Sequence, residues 1–297
     1  FGRYQERCED TARLLRLALS LKLQENEDEE NSQLPIHELA SENGLIAAGE
    51  DADRELLRAA VDIEHPDGMP RKLRTLQQVA FHLRERMSHD NWRAINGLLD
   101  EMPEDEGKAV PGALQWLDVV ASRLITLSGF ALDGMTRDHA WRFMSIGRRL
   151  ERLLFQCAAV QCAFLHDGQS GLSWLLTLSD SIVTYRARYM TSPEWLPVLD
   201  LVVVDPSNPR SVLFQAGGVL DYLEVLERSY GPCGSDLLRP HVRFLQTLDK
   251  AKDLNPESKA LREAITGLRG GALDLNDRLT RCFFNVRQSP LISSFGA

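Results

Sequence analysis

Two short stretches hold the residues whose types and spacing could do chemistry. Gly2-Arg-Tyr-Gln-Glu-Arg7 and Gly147-Arg-Arg-Leu-Glu-Arg152 share the pattern Gly-Arg-x-x-Glu-Arg. In each, one carboxylate stands among guanidiniums: Glu6 with Arg3 and Arg7, and Glu151 with Arg148 and Arg152. Glu9 and Arg13 extend the first set. On a solvated helix face these are ordinary i,i+3 and i,i+4 ion pairs, worth about 0.2–0.5 kcal/mol each. Helical spacing puts both glutamates one residue beyond a core-facing position, at the edge of an apolar stripe. There the same groups could bind a ligand.

A second constellation is Asp180-Ser-Ile-Val-Thr-Tyr-Arg-Ala-Arg-Tyr189. If 172–190 is one helix, Arg186 and Ser179 fall on its apolar stripe. A buried guanidinium needs a carboxylate or an anionic ligand. Asp180, Tyr185, Arg186 and Arg188 are therefore candidate binding residues for a carboxylate or phosphate. The alternative is an internal staple from Arg186 to Glu6 or Glu151. In Asp205-Pro-Ser-Asn-Pro-Arg-Ser211, Asn208 reads as a helix cap, Pro209 as the first helical residue and Asp205 as the turn former. Arg210 could assist an anion at that helix start. His82, Glu85 and His89 would share a helical face, but interleaved Arg84 and Arg86 make a solvated stripe the better reading. No metal site is expected. The sequence contains no phosphate loop, dinucleotide fingerprint or nucleophile elbow.

The elements that must position these groups are helical. The spacing predicts helices over 1–24, 51–64, 71–102, 113–131, 137–166, 172–190, 209–229, 237–252 and 256–286. The strongest stripe is Phe143, Ile146, Leu150, Leu153, Cys157, Val160 and Phe164, in steps of three and four. Moved back by 145 positions, it lands on Phe1, Gln5, Cys8, Ala12, Leu15 and Leu19. The Gly-Arg-x-x-Glu-Arg pattern thus keeps one angle to the stripe in both helices, as in an internal repeat. The acidic stretch 25–33 reads as a solvated loop, 102–112 as a linker, Thr136 as a cap, and the apolar run 199–204 as a buried helix end. The expected fold is all-α: a multi-helix bundle of two related halves, 1–135 and 136–297, or one continuous domain.

A net charge of −9 argues against nucleic acid and anionic membrane surfaces as partners. The odd count of five cysteines, three of them in apolar helical contexts, suits a reducing compartment, so the cytoplasm is expected. The chain begins at Phe1 within a helical pattern, so further residues are expected upstream.

These motifs resemble the bacterial alpha-E family, helical proteins typified by a Gly-Arg-x-x-Glu-Arg helix near the start. The resemblance runs through 2–13, Leu83-Arg-Glu-Arg-Met-Ser-His-Asp-Asn-Trp92, Met135-Thr-Arg-Asp-His-Ala-Trp-Arg-Phe-Met144, 147–152, Thr184-Tyr-Arg-Ala-Arg-Tyr189 and 205–211. Where the family tends to have Ala, this chain has Cys8. The resemblance implies association with circularly permuted ATP-grasp proteins, as separate chains or fusions, and with transglutaminase-like proteins. Such systems are thought to form amide bonds in peptides or modified proteins. The expected role is an accessory or substrate-binding module of an ATP-dependent amide ligase. ATP and Mg would be held by the ATP-grasp partner rather than by this chain, and the substrate would be a peptide or amino acid. In that role an arginine pair among Arg3, Arg7, Arg148, Arg152, Arg186, Arg188 and Arg210 could orient a substrate carboxylate. Glu6 or Glu151 could take the amine proton. The competing expectation is a non-catalytic scaffold in which the Glu/Arg cluster only locks helices together.

Overall fold

A computed structural model describes residues 1–24, 27–100, 102–103, 109–166 and 171–284. Fourteen α-helices and no strand are found among them. In chain order they are α1 (Gly2–Gln24), α2 (Glu27–Glu42), α3 (Ala52–Val61), α4 (Met69–Phe81), α5 (His89–Asn96), α6 (Val110–Asp133) and α7 (His139–Leu165). The chain continues with α8 (Ser173–Leu178), α9 (Ile182–Tyr189), α10 (Trp195–Leu199), α11 (Val212–Tyr230), α12 (Arg239–Thr247), α13 (Lys250–Asp253) and α14 (Lys259–Leu279). The all-α expectation holds.

The longest helix, α7, spans 27 residues. Asp138 caps it, accepting a hydrogen bond from Trp141 N at 2.9 Å. The cap is Asp138 rather than Thr136, because its carboxylate lies next to the free amides of the first turn. The stripe of α7 is buried along its length, with only Phe143 half-buried. So are the matching positions Gln5, Cys8, Ala12, Leu15 and Leu19 of α1. The two stripes face each other, and α1 packs chiefly on α7 and α6. The other face of α7 takes α11 and α14, while α2, α3 and α4 gather around α1. The buried apolar side chains form one continuous core.

Several elements depart from expectation for local reasons. The acidic stretch expected as a loop enters a helix at Glu27; residues 25 and 26 lie outside the described residues. The stretch 71–102 is not one helix. It breaks after Phe81 and restarts at His89, where the Ser88 hydroxyl accepts from Asn91 N at 3.2 Å. His82, Glu85 and His89 therefore share no helical face. The stretch 172–190 is also two helices, with Asp180 at φ 53 between them. That left-handed residue resets the helical phase, so a stripe counted across it does not hold. Residues 199–204 are helical and, except for the half-buried Asp200, buried as expected, ending in a π-helical turn over Asp200–Val204. Asn208 and Pro209 do not start α11. Ser211 does, accepting from Phe214 N at 3.0 Å, which leaves 208–210 in a turn. Asp205 shapes that turn as expected, its Oδ1 accepting from Ser207 N at 2.7 Å.

Cys8, Cys157, Cys162 and Cys233 are buried free thiols, and Cys282 is exposed. Among the described residues, no helix is long and apolar enough to cross a membrane.

Candidate functional site

The two Gly-Arg-x-x-Glu-Arg motifs meet directly where α1 crosses α7. Contacts advance together along both helices, Gly2 against Met144 and Arg7 against Glu151, so the helices run the same way there. Neither motif glycine leaves room for a side chain. A Cβ on Gly2 would lie 2.2 Å from Met144 O, and one on Gly147 would lie 3.0 Å from Arg3 Cγ.

This close approach lets each motif satisfy the other. Glu151 accepts from Arg3 Nε at 2.5 Å and from Arg7 Nη2 at 2.8 Å. Glu6 accepts from Arg148 Nη2 at 3.3 Å and from Arg152 Nε. The pairing expected within each helix is thus exchanged between helices. The two ends differ in exposure. Glu6 is completely buried, and its partners Arg148 and Arg152 keep only 14% and 15% of their side-chain surface. At the Glu151 end, Arg3 and Arg7 keep 35% and 40%.

Two further elements close the Glu6 end. Glu9 of α1 joins Arg148 at 3.3 Å and Arg152 at 3.6 Å. Ser128 of α6 bridges it: Ser128 Oγ lies 2.6 Å from Glu9 Oε1, 2.9 Å from Arg148 Nη2 and 2.8 Å from Gln5 Nε2. Arg210, just before α11, points inward to Glu6 at 3.7 Å and Glu9 at 3.9 Å. Its place in the turn at 208–210 sets that direction, with Asn208 Oδ1 accepting from Arg210 N at 3.0 Å. Arg210 therefore serves the cluster, not a helix start.

The electrostatics follow from this crowding. Burial pushes the Glu6 carboxyl upward, but Arg152, Arg148 and Arg210 together outweigh it and hold it below the usual value. Burial, with Arg152 and Arg13 nearby, pushes Arg210 down to about 10. Asp10 behaves oppositely. Burial first, then the charge of Glu6, raise its carboxyl well above the usual range. Its Oδ1 has no hydrogen-bond partner among the described residues.

Asp10→Asn tests this directly. A carboxyl raised in the folded state contributes stability that is complete below its unfolded value, about 4, and is lost as the pH rises. The variant and parent should be nearly equal at that acidic limit. The variant should then gain steadily on the parent as the pH rises toward neutrality. Urea denaturation at a series of pH values measures it, and a pH-independent difference would contradict the assignment.

The second constellation scatters. Arg186 is exposed, not on a buried stripe, because the break at Asp180 turns α9 so that Tyr185 points inward instead. The staple expected from Arg186 is supplied by Arg210. Asp180 is exposed and pairs with Arg13 at 3.5 Å. Tyr185 is fully buried; its hydroxyl donates to Ser192 O at 3.1 Å and accepts from Glu194 N at 3.2 Å. Arg188 is exposed and pairs with Asp205. Tyr185 and Arg188 hold the 179–205 segment, Asp180 ties it to α1, and none of the four residues joins the Glu6 cluster.

Beside the exposed end of the clamp lies a cavity of about 690 Å³. Its wall includes Gly2, Arg3 and Tyr4 from α1 and Phe143, Met144 and Gly147 from α7. Leu83, Met87 and Asn91 close one side, and Asn276 of α14 accepts a hydrogen bond from Arg3 Nη1 on another. Four of the motif stretches singled out in the sequence thus converge on one space. The cavity follows from tertiary packing of α1, α4, α7 and α14, and no spacing in the sequence signals it. Among the described residues, no group of three His, Cys, Asp or Glu is placed to hold a metal ion.

Comparison with known proteins fits this arrangement. Uncharacterized proteins of Mycobacterium bovis and of two Mycobacterium tuberculosis strains are each 26% identical over 318 residues, covering 94% of this chain and 35% of the relative. The chain thus spans about a third of the length of these curated relatives. No solved structure matches it. The Alpha-E family model, described as a predicted alpha-helical domain with a conserved ER motif, matches residues 1–284. Glu6-Arg7 and Glu151-Arg152 are Glu-Arg pairs of that kind, and they are the two that meet in the clamp. The chain belongs to the Alpha-E family.

Proposed function

We propose that this chain is a helical substrate-binding module of an ATP-grasp-dependent amide ligase, acting in peptide synthesis or modification. The observation that carries the reading is the cavity beside Arg3, bounded by the motif stretches and held in shape by the Glu/Arg clamp. A further support is length: the relatives are about three times as long as the aligned region, which suits a domain that works beside others. In this reading a circularly permuted ATP-grasp protein or domain is the partner and holds ATP and Mg. The carboxylates of the clamp are covered by guanidiniums, a donor set unsuited to Mg. A transglutaminase-like protein is a second partner in the same reading, and the cytoplasm is its compartment.

The roles of the two glutamates then differ. Glu6 is sealed and held ionised by three arginines, which suits a structural counter-ion. Glu151 orients Arg3 at the cavity edge and is a positioning residue.

The scaffold reading has one specific observation in its favour: every glutamate of the clamp has an arginine partner within the chain. A native pull-down read by mass spectrometry separates the two. Under the module reading an ATP-grasp sequence is recovered, as a partner or within the same polypeptide. ADP formation by that complex then depends on the cavity and falls in Ala140→Phe, which fills it. Recovery without any ATP-grasp sequence, or unchanged ADP formation in the filled variant, would leave the scaffold reading standing.

A further inference from the structure

We infer that the cavity binds an anionic ligand with an apolar body, namely an N-acylated amino acid or short peptide ending in an apolar residue, with its carboxylate on Arg3. The inference deepens the substrate-binding reading and names the ligand class for that site.

Three observations carry it. The first is size and lining. At about 690 Å³ the space falls within the ordinary range for small-molecule sites. Its walls are mostly apolar, with Phe143, Met144, Leu83 and Met87 among them, so an apolar body is desolvated at little cost.

The second is charge. No aspartate or glutamate lines the cavity among the described residues, whereas Arg3 does. Arg3 shares its one carboxylate, Glu151, with Arg7. Two guanidiniums on one carboxylate leave a positive charge in excess at this end of the clamp. Water screens it in part, since both arginines are about a third or more exposed. A ligand that excludes that water strengthens the attraction.

The third is orientation. Arg3 Nε is fixed on Glu151 and Nη1 on Asn276, so two side chains hold the guanidinium plane before any ligand arrives. Among the described residues its Nη2 has no side-chain acceptor. Asn91 supplies a further polar group on the wall, suited to an amide of the ligand. An amide and a carboxylate on one apolar body describe the end of an acylated peptide.

Isothermal titration of the 297-residue chain tests this without any ligase present. The probes are N-acetyl-phenylalanine, its C-terminal amide, and octanoate. The acid is expected to bind at least about ten-fold tighter than the amide, as one charge-assisted hydrogen bond implies. Arg3→Gln should reduce that ratio to about one while the amide still binds. Ala140→Phe should lose both, with its melting temperature recorded to show that it is folded. Equal binding of acid and amide by the parent overturns the role of Arg3. Absence of binding at millimolar concentration overturns the site. Tighter binding of octanoate overturns the peptide-like assignment. A chain that passes these tests but recovers no ATP-grasp partner keeps its ligand site and loses only the ligase reading.

Discussion

Glu6→Gln lowers the stability of the folded chain by about 3–5 kcal/mol. The side chain is completely buried and accepts from Arg148 and Arg152, with Arg210 a further 3.7 Å away. Removing its charge leaves three guanidiniums with Glu9 and the more distant Asp10 as their only acidic neighbours among the described residues, in a place that water reaches poorly. The matching change at the open end, Glu151→Gln, costs less, about 1–3 kcal/mol. There Arg3 and Arg7 are exposed enough for water to replace the carboxylate. Urea denaturation of the two variants gives the comparison; equal losses, or a reversed order, would mean that burial does not set the strength of the clamp. The acid limb carries a second sign. Because the folded Glu6 carboxyl is held below its ordinary value, its stabilisation is present above the unfolded value and lost as pH falls through the folded one. Glu6→Gln should therefore flatten the acid side of the stability profile.

Gly2→Ala costs about 1–3 kcal/mol, although in an exposed helix interior the same change gains about 1 kcal/mol. The new methyl would lie 2.2 Å from Met144 O, a backbone atom that cannot step aside without moving α7. Gly147→Ala is the control. Its methyl would meet Arg3 Cγ at 3.0 Å and Arg3 N at 3.4 Å, contacts that a shift of a few tenths of an ångström relieves. It should cost distinctly less. Both glycines also line the cavity, so Gly2→Ala should weaken ligand binding as α1 and α7 separate. Chemical denaturation and titration on the same pair of variants give both readouts, and a stabilised Gly2→Ala would refute the close crossing.

What was legible in the sequence was set by periodicity. The stripes of α1 and α7 were readable because each is unbroken, and the shift of 145 positions placed the two motifs at one angle to them. Burial of Gln5, the one polar residue on the first stripe, follows from Ser128 reaching it from α6, a contact no local pattern shows. Arg186 was misplaced because a single left-handed residue, Asp180, breaks the phase on which the argument depended. The direction of Arg210 was hidden for a similar reason. Whether a residue beside a proline turn faces inward depends on where the next helix is capped, and Ser211 competed with Asn208 for that position. Exchange of partners between the two motifs was beyond the sequence altogether. Glu6 has Arg3 and Arg7 at helical spacing, and only the close crossing gives it Arg148 and Arg152 instead. The cavity is likewise a property of how helices distant in sequence come together.

The exchanged ion pairs also constrain how the chain is made. Each joins residues 142 to 148 positions apart. On the ribosome, α1 is complete long before α7 emerges, and until then Glu6 lacks Arg148 and Arg152. The 139 residues between the two motifs are made first, and the second motif glycine, which allows the close approach, arrives together with Arg148 and Arg152. Although α2, α3, α4 and α6 can pack on α1 as they appear, α1 gains its ion pairs to the second motif only once α7 is made. A translation pause between the two motifs would prolong the period in which the apolar stripe of α1 is open to wrong partners.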